Sequence, residues 1–169
     1  MVTSDLVRAR DTALTLHPAP RVDARLRELD LGAWQGLTSA EVLARYPDEH
    51  AAWRAGQDVA RGGGETYREA GERAAACLLE HLPAQGTLLA VTHGGTARAT
   101  LGVLLELPQA SWARLVPLGN ACWSVLVEGD VGWRLERHNA GVGPLLGAHD
   151  VGGQPAGATP TSPDVEPVR

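Results

Sequence analysis

One stretch narrows the fold more than any other. Thr87-Leu88-Leu89-Ala90-Val91-Thr92 is a short, continuous apolar run; His93-Gly94-Gly95 follows at once, and then a helix expected from about Thr96 to Leu105. An uninterrupted apolar run of that length suits a strand covered on both faces, as in a parallel sheet. The helix behind it is apolar nearly all round, so it is expected to be buried. A strand that passes through a glycine turn into a helix is a building block of α/β folds. Its carboxyl end is where such folds collect ligands.

The rest of the chain agrees with that architecture. Thr3-Ser4-Asp5 offers capping residues for a helix running to about Leu16, stopped before Pro18 and Pro20. Thr38-Ser39-Ala40-Glu41 has capping-box spacing, and Pro47 closes the helix it opens. A short helix from about Asp48 to Ala55 follows, then Gly62-Gly63-Gly64. Thr66-Tyr67-Arg68-Glu69 repeats the capping box ahead of a clearly amphipathic helix. Tyr67, Ala70, Ala74, Cys77, Leu78 and Leu82 fall on one side of it, and Arg68, Glu69, Glu72, Arg73 and Glu80 on the other. Pro108 and Trp112 mark a connecting helix, and the segments Cys122 to Val127 and Trp133 to Arg137 read as a hairpin. The fold class expected is therefore α/β, a three-layer α/β/α domain with a mostly parallel sheet over residues 1–146. Residues 147–169 carry Gly, Pro, Ala, Thr and Ser without aromatics and are expected to be a disordered tail.

Composition bounds the partners. A formal net charge of −5 and a pI near 5.6 supply no dominant cationic surface, so nucleic acid is not an expected partner. No stretch approaches the roughly 18 apolar residues of a membrane span, and no secretory signal opens the chain; no membrane is expected, and the chain reads as cytoplasmic. All 15 basic side chains are arginine, so a bound anion is held by Arg, His or backbone N–H groups. Cys77 and Cys122 show no metal-ligand spacing and read as buried reduced thiols. There is no P-loop, metal-spaced cluster, dinucleotide fingerprint or Gly-x-Ser-x-Gly elbow.

Two residues stand out on their own terms. His93 sits where backbone N–H groups at a helix start favour an anion, and Gly94 and Gly95 let it approach closely. The bland alternative is a histidine bonded into a strand-to-helix turn. Glu28 lies in an irregular segment, Leu26-Arg27-Glu28-Leu29-Asp30-Leu31-Gly32-Ala33-Trp34-Gln35-Gly36, where a lone glutamate is ordinarily a solvated loop carboxylate.

That segment, together with Val91-Thr92-His93-Gly94-Gly95 and the opening Val2-Thr3-Ser4-Asp5-Leu6-Val7-Arg8-Ala9-Arg10-Asp11-Thr12-Ala13, resembles the histidine phosphatase superfamily, in its phosphoglycerate mutase-like branch. The likeness spans about Val2 to Gly143. It implies a phosphatase of small phosphate monoesters that works through a phosphohistidine, with no metal or organic cofactor. Glu28 takes the place of the general acid, which delivers a proton to the leaving oxygen. Arg8 takes the place of the arginine in a Ser-x-Leu-x-Arg-Ala pattern that grips the phosphoryl group, and His93 and Gly94 share its oxygens. Trp34 is a candidate apolar wall for Glu28. His17, His50, His81, His138 and His149 read as surface or structural, and Arg10 and Arg21 as solvated surface arginines.

The family begins with a strand bearing Arg-His-Gly, whose histidine is the nucleophile, and that tripeptide does not occur in these 169 residues. The resemblance therefore implies that a central βα unit is missing, and that the chain as given is unstable and inactive. The alternative is a pseudoenzyme that binds phosphate esters through Arg8, Glu28 and His93, serving as a binding or regulatory module. Only 64 residues separate Glu28 from His93, a short lid that favours a phosphatase over a mutase. The runs Leu107-Pro108-Gln109-Ala110-Ser111-Trp112 and Gly119-Asn120-Ala121-Cys122-Trp123 are similar to glucosyl-3-phosphoglycerate phosphatases; α-ribazole phosphatase-like enzymes stay as a further alternative. Arg54, Arg61 and Arg68 near the lid are candidates for a second anionic group of the substrate, with solvated surface charge as the plainer reading. The partner implied is a small-molecule phosphate ester, and oligomerisation is left open.

Overall fold

The computed structural model describes residues 1–141. Residues 142–146, and the tail expected after them, lie outside the described part. Three short parallel strands form the centre of the domain, in the order β2 (Arg21–Val22), β1 (Val2–Thr3), β3 (Ala90–Val91). Val2 pairs with Arg21 on one side and Ala90 on the other. A separate antiparallel hairpin, β4 (Trp123–Gly129) with β5 (Gly132–Ala140), completes the strand inventory among the described residues. The helices are α1 (Val7–Leu16), α2 (Ser39–Arg45), α3 (Pro47–Arg54), α4 (Tyr67–His81) and α5 (Gly94–Leu104). None of them is long and apolar enough to cross a membrane.

The opening residues depart from the sequence expectation. Thr3 and Ser4 do not cap α1, whose N-cap is Leu6 with no side-chain bond. Val2 and Thr3 are instead fully buried as the central strand. Flanking strands on both sides offer every backbone group of this pair a ladder partner, which outweighs one capping bond. The Ser4 hydroxyl still accepts the Leu6 N–H at 3.2 Å, while the Ser4 N–H donates to Val91 O at 3.0 Å.

Both capping boxes form as read. Thr38 and Thr66 each accept the N–H of the glutamate three residues on, and Glu41 and Glu69 return to the cap backbone. α4 buries Ala70, Gly71, Ala74, Ala75 and Cys77, a face of small side chains that lets α5 come close. A Cβ on Gly71 would lie 2.7 Å from the Ala99 carbonyl oxygen. Leu82 is not part of that face; it is the C-cap, and is 37% exposed. α5 buries Thr96, Ala99, Thr100, Leu101, Gly102 and Leu104 and exposes no residue, as its all-round apolar character requires. Val2, Leu26, Ala74 and Cys77 form the core cluster, with Leu78, Leu88 and Ala90 packed on it. Burial pushes the Cys77 thiol up to about 12.

The run leading to His93 is not covered on both sides as its composition suggests. Only Ala90 and Val91 are strand, both half-buried, and Leu89 is 44% exposed. β1 covers one edge of β3, and among the described residues no strand lies on the other.

Candidate active site

Parallel pairing decides where the site forms. Because β1 and β3 run in the same direction, their carboxyl ends lie side by side, and Ser4 arrives beside His93. The His93 ring Nε2 lies 2.9 Å from Ser4 Oγ, and both residues are buried. His93 is the N-cap of α5 in an extended conformation. Burial pulls its pKa down to about 4, against the opposing attraction of Glu28; the positive charge of Arg8 reinforces the fall. The imidazole is therefore neutral near pH 7. Arg8, the second residue of α1, is exposed, and its positive charge acts on the imidazole.

Glu28 is no solvated loop carboxylate. Oε1 accepts the N–H groups of Leu29 (2.9 Å) and Thr96 (3.0 Å), and Oε2 that of Gly95 (3.3 Å). The Glu28 carboxyl group thus lies against the N-terminal turn of α5 and takes up two of the N–H groups that the helix itself leaves unpaired. Gly95 has no room for a side chain, since a Cβ there would sit 2.7 Å from Glu28 Oε1. Gly94 is the first residue of α5, next to this pair of donors.

The segment that carries Glu28 has no regular structure of its own, so side chains hold its carbonyls. Thr92 Oγ1 donates to Leu26 O at 2.8 Å, and Thr96 Oγ1 to Arg27 O at 2.6 Å. Arg73 reaches from α4 to Arg27 O (3.1 Å) and Glu28 O (3.3 Å), and pairs with Glu65 at 2.6 Å. Helical periodicity places Arg73 on the solvent side; the structure corrects that and makes it a clamp on the backbone of the Glu28 segment. Ser4, Arg73 and Thr96 are the residues that sequence reasoning misses here. Only Ser4 left a signal, as part of the opening motif.

Above Glu28, the turns Gly32–Trp34 and Arg61–Gly63 press together. A Cβ on Gly32 would meet the Gly62 carbonyl oxygen at 2.2 Å, and Gly62 itself has φ +58°. Trp34 is buried, but its ring neighbours are Tyr46, His50 and Trp53 rather than a wall shown against Glu28. Arg61 is not solvated surface charge. It is 6% exposed, with its guanidinium 4.7 Å from the Tyr67 ring and 5.8 Å from that of Trp53. Its Nη2 has no hydrogen-bond partner among the described residues, and burial lowers its pKa while Tyr67 and Glu28 act to raise it. Arg68 remains exposed, beside Asp58 and Trp112.

A buried histidine and a carboxyl group thus meet at the first turn of α5, at the carboxyl end of the parallel strands. Residues 1–141 match the profile of the histidine phosphatase superfamily (branch 1), and the chain belongs to that family. It is 36% identical to the glucosyl-3-phosphoglycerate phosphatase of Mycobacterium tuberculosis, over 83% of this chain and 73% of that protein. The mycobacterial glucosyl-3-phosphoglycerate phosphatase solved with inorganic phosphate superposes with a TM-score of 0.72 at 38% identity, covering 83% of this chain and 77% of the other. A 2,3-bisphosphoglycerate-dependent phosphoglycerate mutase of Methylobacterium radiotolerans is 34% identical over 64% of this chain and 57% of its own length.

Proposed function

We propose that this site hydrolyses a small phosphate monoester of a sugar or glycerate, in the manner of glucosyl-3-phosphoglycerate, through a phosphohistidine. The observation that carries the reading is the meeting of Glu28 and His93 at the first turn of α5. Neutral His93, the Arg8 guanidinium and the Gly94 N–H hold the phosphoryl oxygens. Glu28 protonates the leaving alcohol, and water then releases phosphate. In this reading the attacking histidine belongs to an Arg-His-Gly strand, a tripeptide that these 169 residues do not contain.

The test compares the 169-residue chain with a version to which an Arg-His-Gly strand and its helix are added at the N-terminus. The 169 residues should hydrolyse phosphate esters at background rate, and the extended version should be active and trap phosphate on the added histidine. Robust turnover by the shorter chain would overturn this. In the active version, Glu28→Gln should lower kcat by roughly 10²–10⁴-fold for alkyl esters and far less for activated aryl phosphates, which need little protonation. Equal losses for both would remove Glu28 as the acid.

Arg61 supports a substrate with a second anionic group. A buried guanidinium with an unpartnered nitrogen is costly unless an anion meets it, and the lid places it over the Glu28 segment. In the extended version, Arg61→Ala should raise KM for a phosphorylated sugar acid by roughly tenfold or more, as expected for a charged hydrogen bond, and leave KM for an aryl phosphate with no second anionic group nearly unchanged. Equal changes in KM would assign Arg61 to lid packing alone.

A further inference from the structure

At the end of α4 three side chains able to bind a metal meet. Cys77 and His81 stand four residues apart on α4, which puts them on one helix face in its last turns. The loop after β2 brings Asp23 against them, so that one donor atom from each residue lies within 4.8 Å of the other two. His81 Nε2 and Asp23 Oδ2 are already 3.5 Å apart. Cys and His spacing on the helix carries no signal in a sequence scan, because the third donor lies far away in the chain.

We infer that Asp23, Cys77 and His81 form a binding site for a single divalent ion of the zinc class, separate from the phosphatase centre. The donors of a four-coordinate zinc, each about 2.0–2.3 Å from the ion, sit roughly 3.5 Å from one another. Shifts on the order of 1 Å in the Cys77 and His81 rotamers complete the geometry. One sulfur, one imidazole nitrogen and one carboxylate oxygen suit zinc, whereas calcium and magnesium require shells of oxygen. Cys77 closes the inner side, packed with Val2 and Leu26, while Asp23 and His81 keep 17% and 16% of their side chains exposed. The ion enters from that outer side and takes water as its fourth ligand. α4 ends at His81, and the carbonyl end of a helix favours a cation. On binding, a bond forms from Cys77 Sγ to the ion and the thiol proton leaves to solvent.

Arg25 opposes the ion and sets its affinity. Its guanidinium bonds Asp23 at 2.7 Å and Glu80 at 2.8 Å, so metal binding requires Asp23 to share or surrender that contact. Asp23 also caps the turn at Ala24–Leu26 that leads to Glu28. An ion here ties the root of the catalytic segment to α4.

The site is tested by titrating the full 169-residue chain with Co²⁺ and displacing it with Zn²⁺. A near-ultraviolet thiolate-to-cobalt band at one ion per chain is expected, bleached by zinc. Cys77→Ser should abolish the band, His81→Asn should weaken binding at least tenfold, and Cys122→Ser should leave it unchanged. Arg25→Gln should tighten binding several-fold. Absence of the band, or its survival in Cys77→Ser, would overturn the site.

Discussion

His93 shows how one residue links the site to the stability of the chain. Its ordinary pKa of 6.5 falls to about 4 because it is buried against Ser4, away from water. Between those values the unfolded chain binds a proton at this position and the folded chain does not. Stability should therefore be full above about pH 6.5 and decline as pH falls toward 4, in the sense required by linkage. His93→Gln should flatten this slope in chemical denaturation measured across that range; an unchanged slope would place the imidazole in a wetter environment. That His93 and Glu28 are candidates was legible in their motifs. Their chemistry was not, because Glu28 is held by the N–H groups of Gly95 and Thr96, and those lie far along the chain.

At the scale of elements, the packing of α4 on α5 depends on Gly71. Alanine is the better helix former by about 1 kcal/mol, but its methyl group would meet the Ala99 carbonyl at 2.7 Å and the Val103 side chain at 2.8 Å. Backbone cannot yield as a flexible side chain does, and overpacking of this kind costs about 1–3 kcal/mol. Gly71→Ala should therefore lower the Tm, whereas the propensity argument alone predicts a rise; thermal melts decide between them. Both capping boxes were readable because a Thr and a Glu three residues apart bond each other locally. The opening helix was misread at its start for the opposite reason. Thr3 and Ser4 have capping chemistry, yet their backbone is claimed by β2 and β3, which no local pattern reveals.

For the whole molecule, the three-stranded sheet and the hairpin are separate units among the described residues, and β3 has a strand on one side only. Leu89, before β3, and Trp123, at the start of β4, are 44% and 42% exposed. An open edge beside apolar surface pairs readily with other chains. The 169-residue chain should associate as its concentration rises and melt broadly; light scattering on a sizing column and calorimetry report both. A monodisperse monomer with a sharp, reversible transition would show that the edge is harmless. Addition of vanadate should raise the midpoint of the active, extended version by binding its native state.

From the sequence come the class of fold, the two capping boxes with the helices they open, and the motifs in which Arg8, Glu28, His93 and Gly94 stand. These follow from local periodicity, from turn chemistry, and from motifs that keep their spacing. Tertiary structure alone decided that Arg73 clamps the backbone of the Glu28 segment, that Ser4 faces His93, that Arg61 is buried between aromatic rings, and that Asp23 joins Cys77 and His81. Each of these contacts spans elements distant in the chain. Partners of that kind are chosen by parallel strand register and by helix approach, both of which are set by global packing rather than by neighbours in sequence.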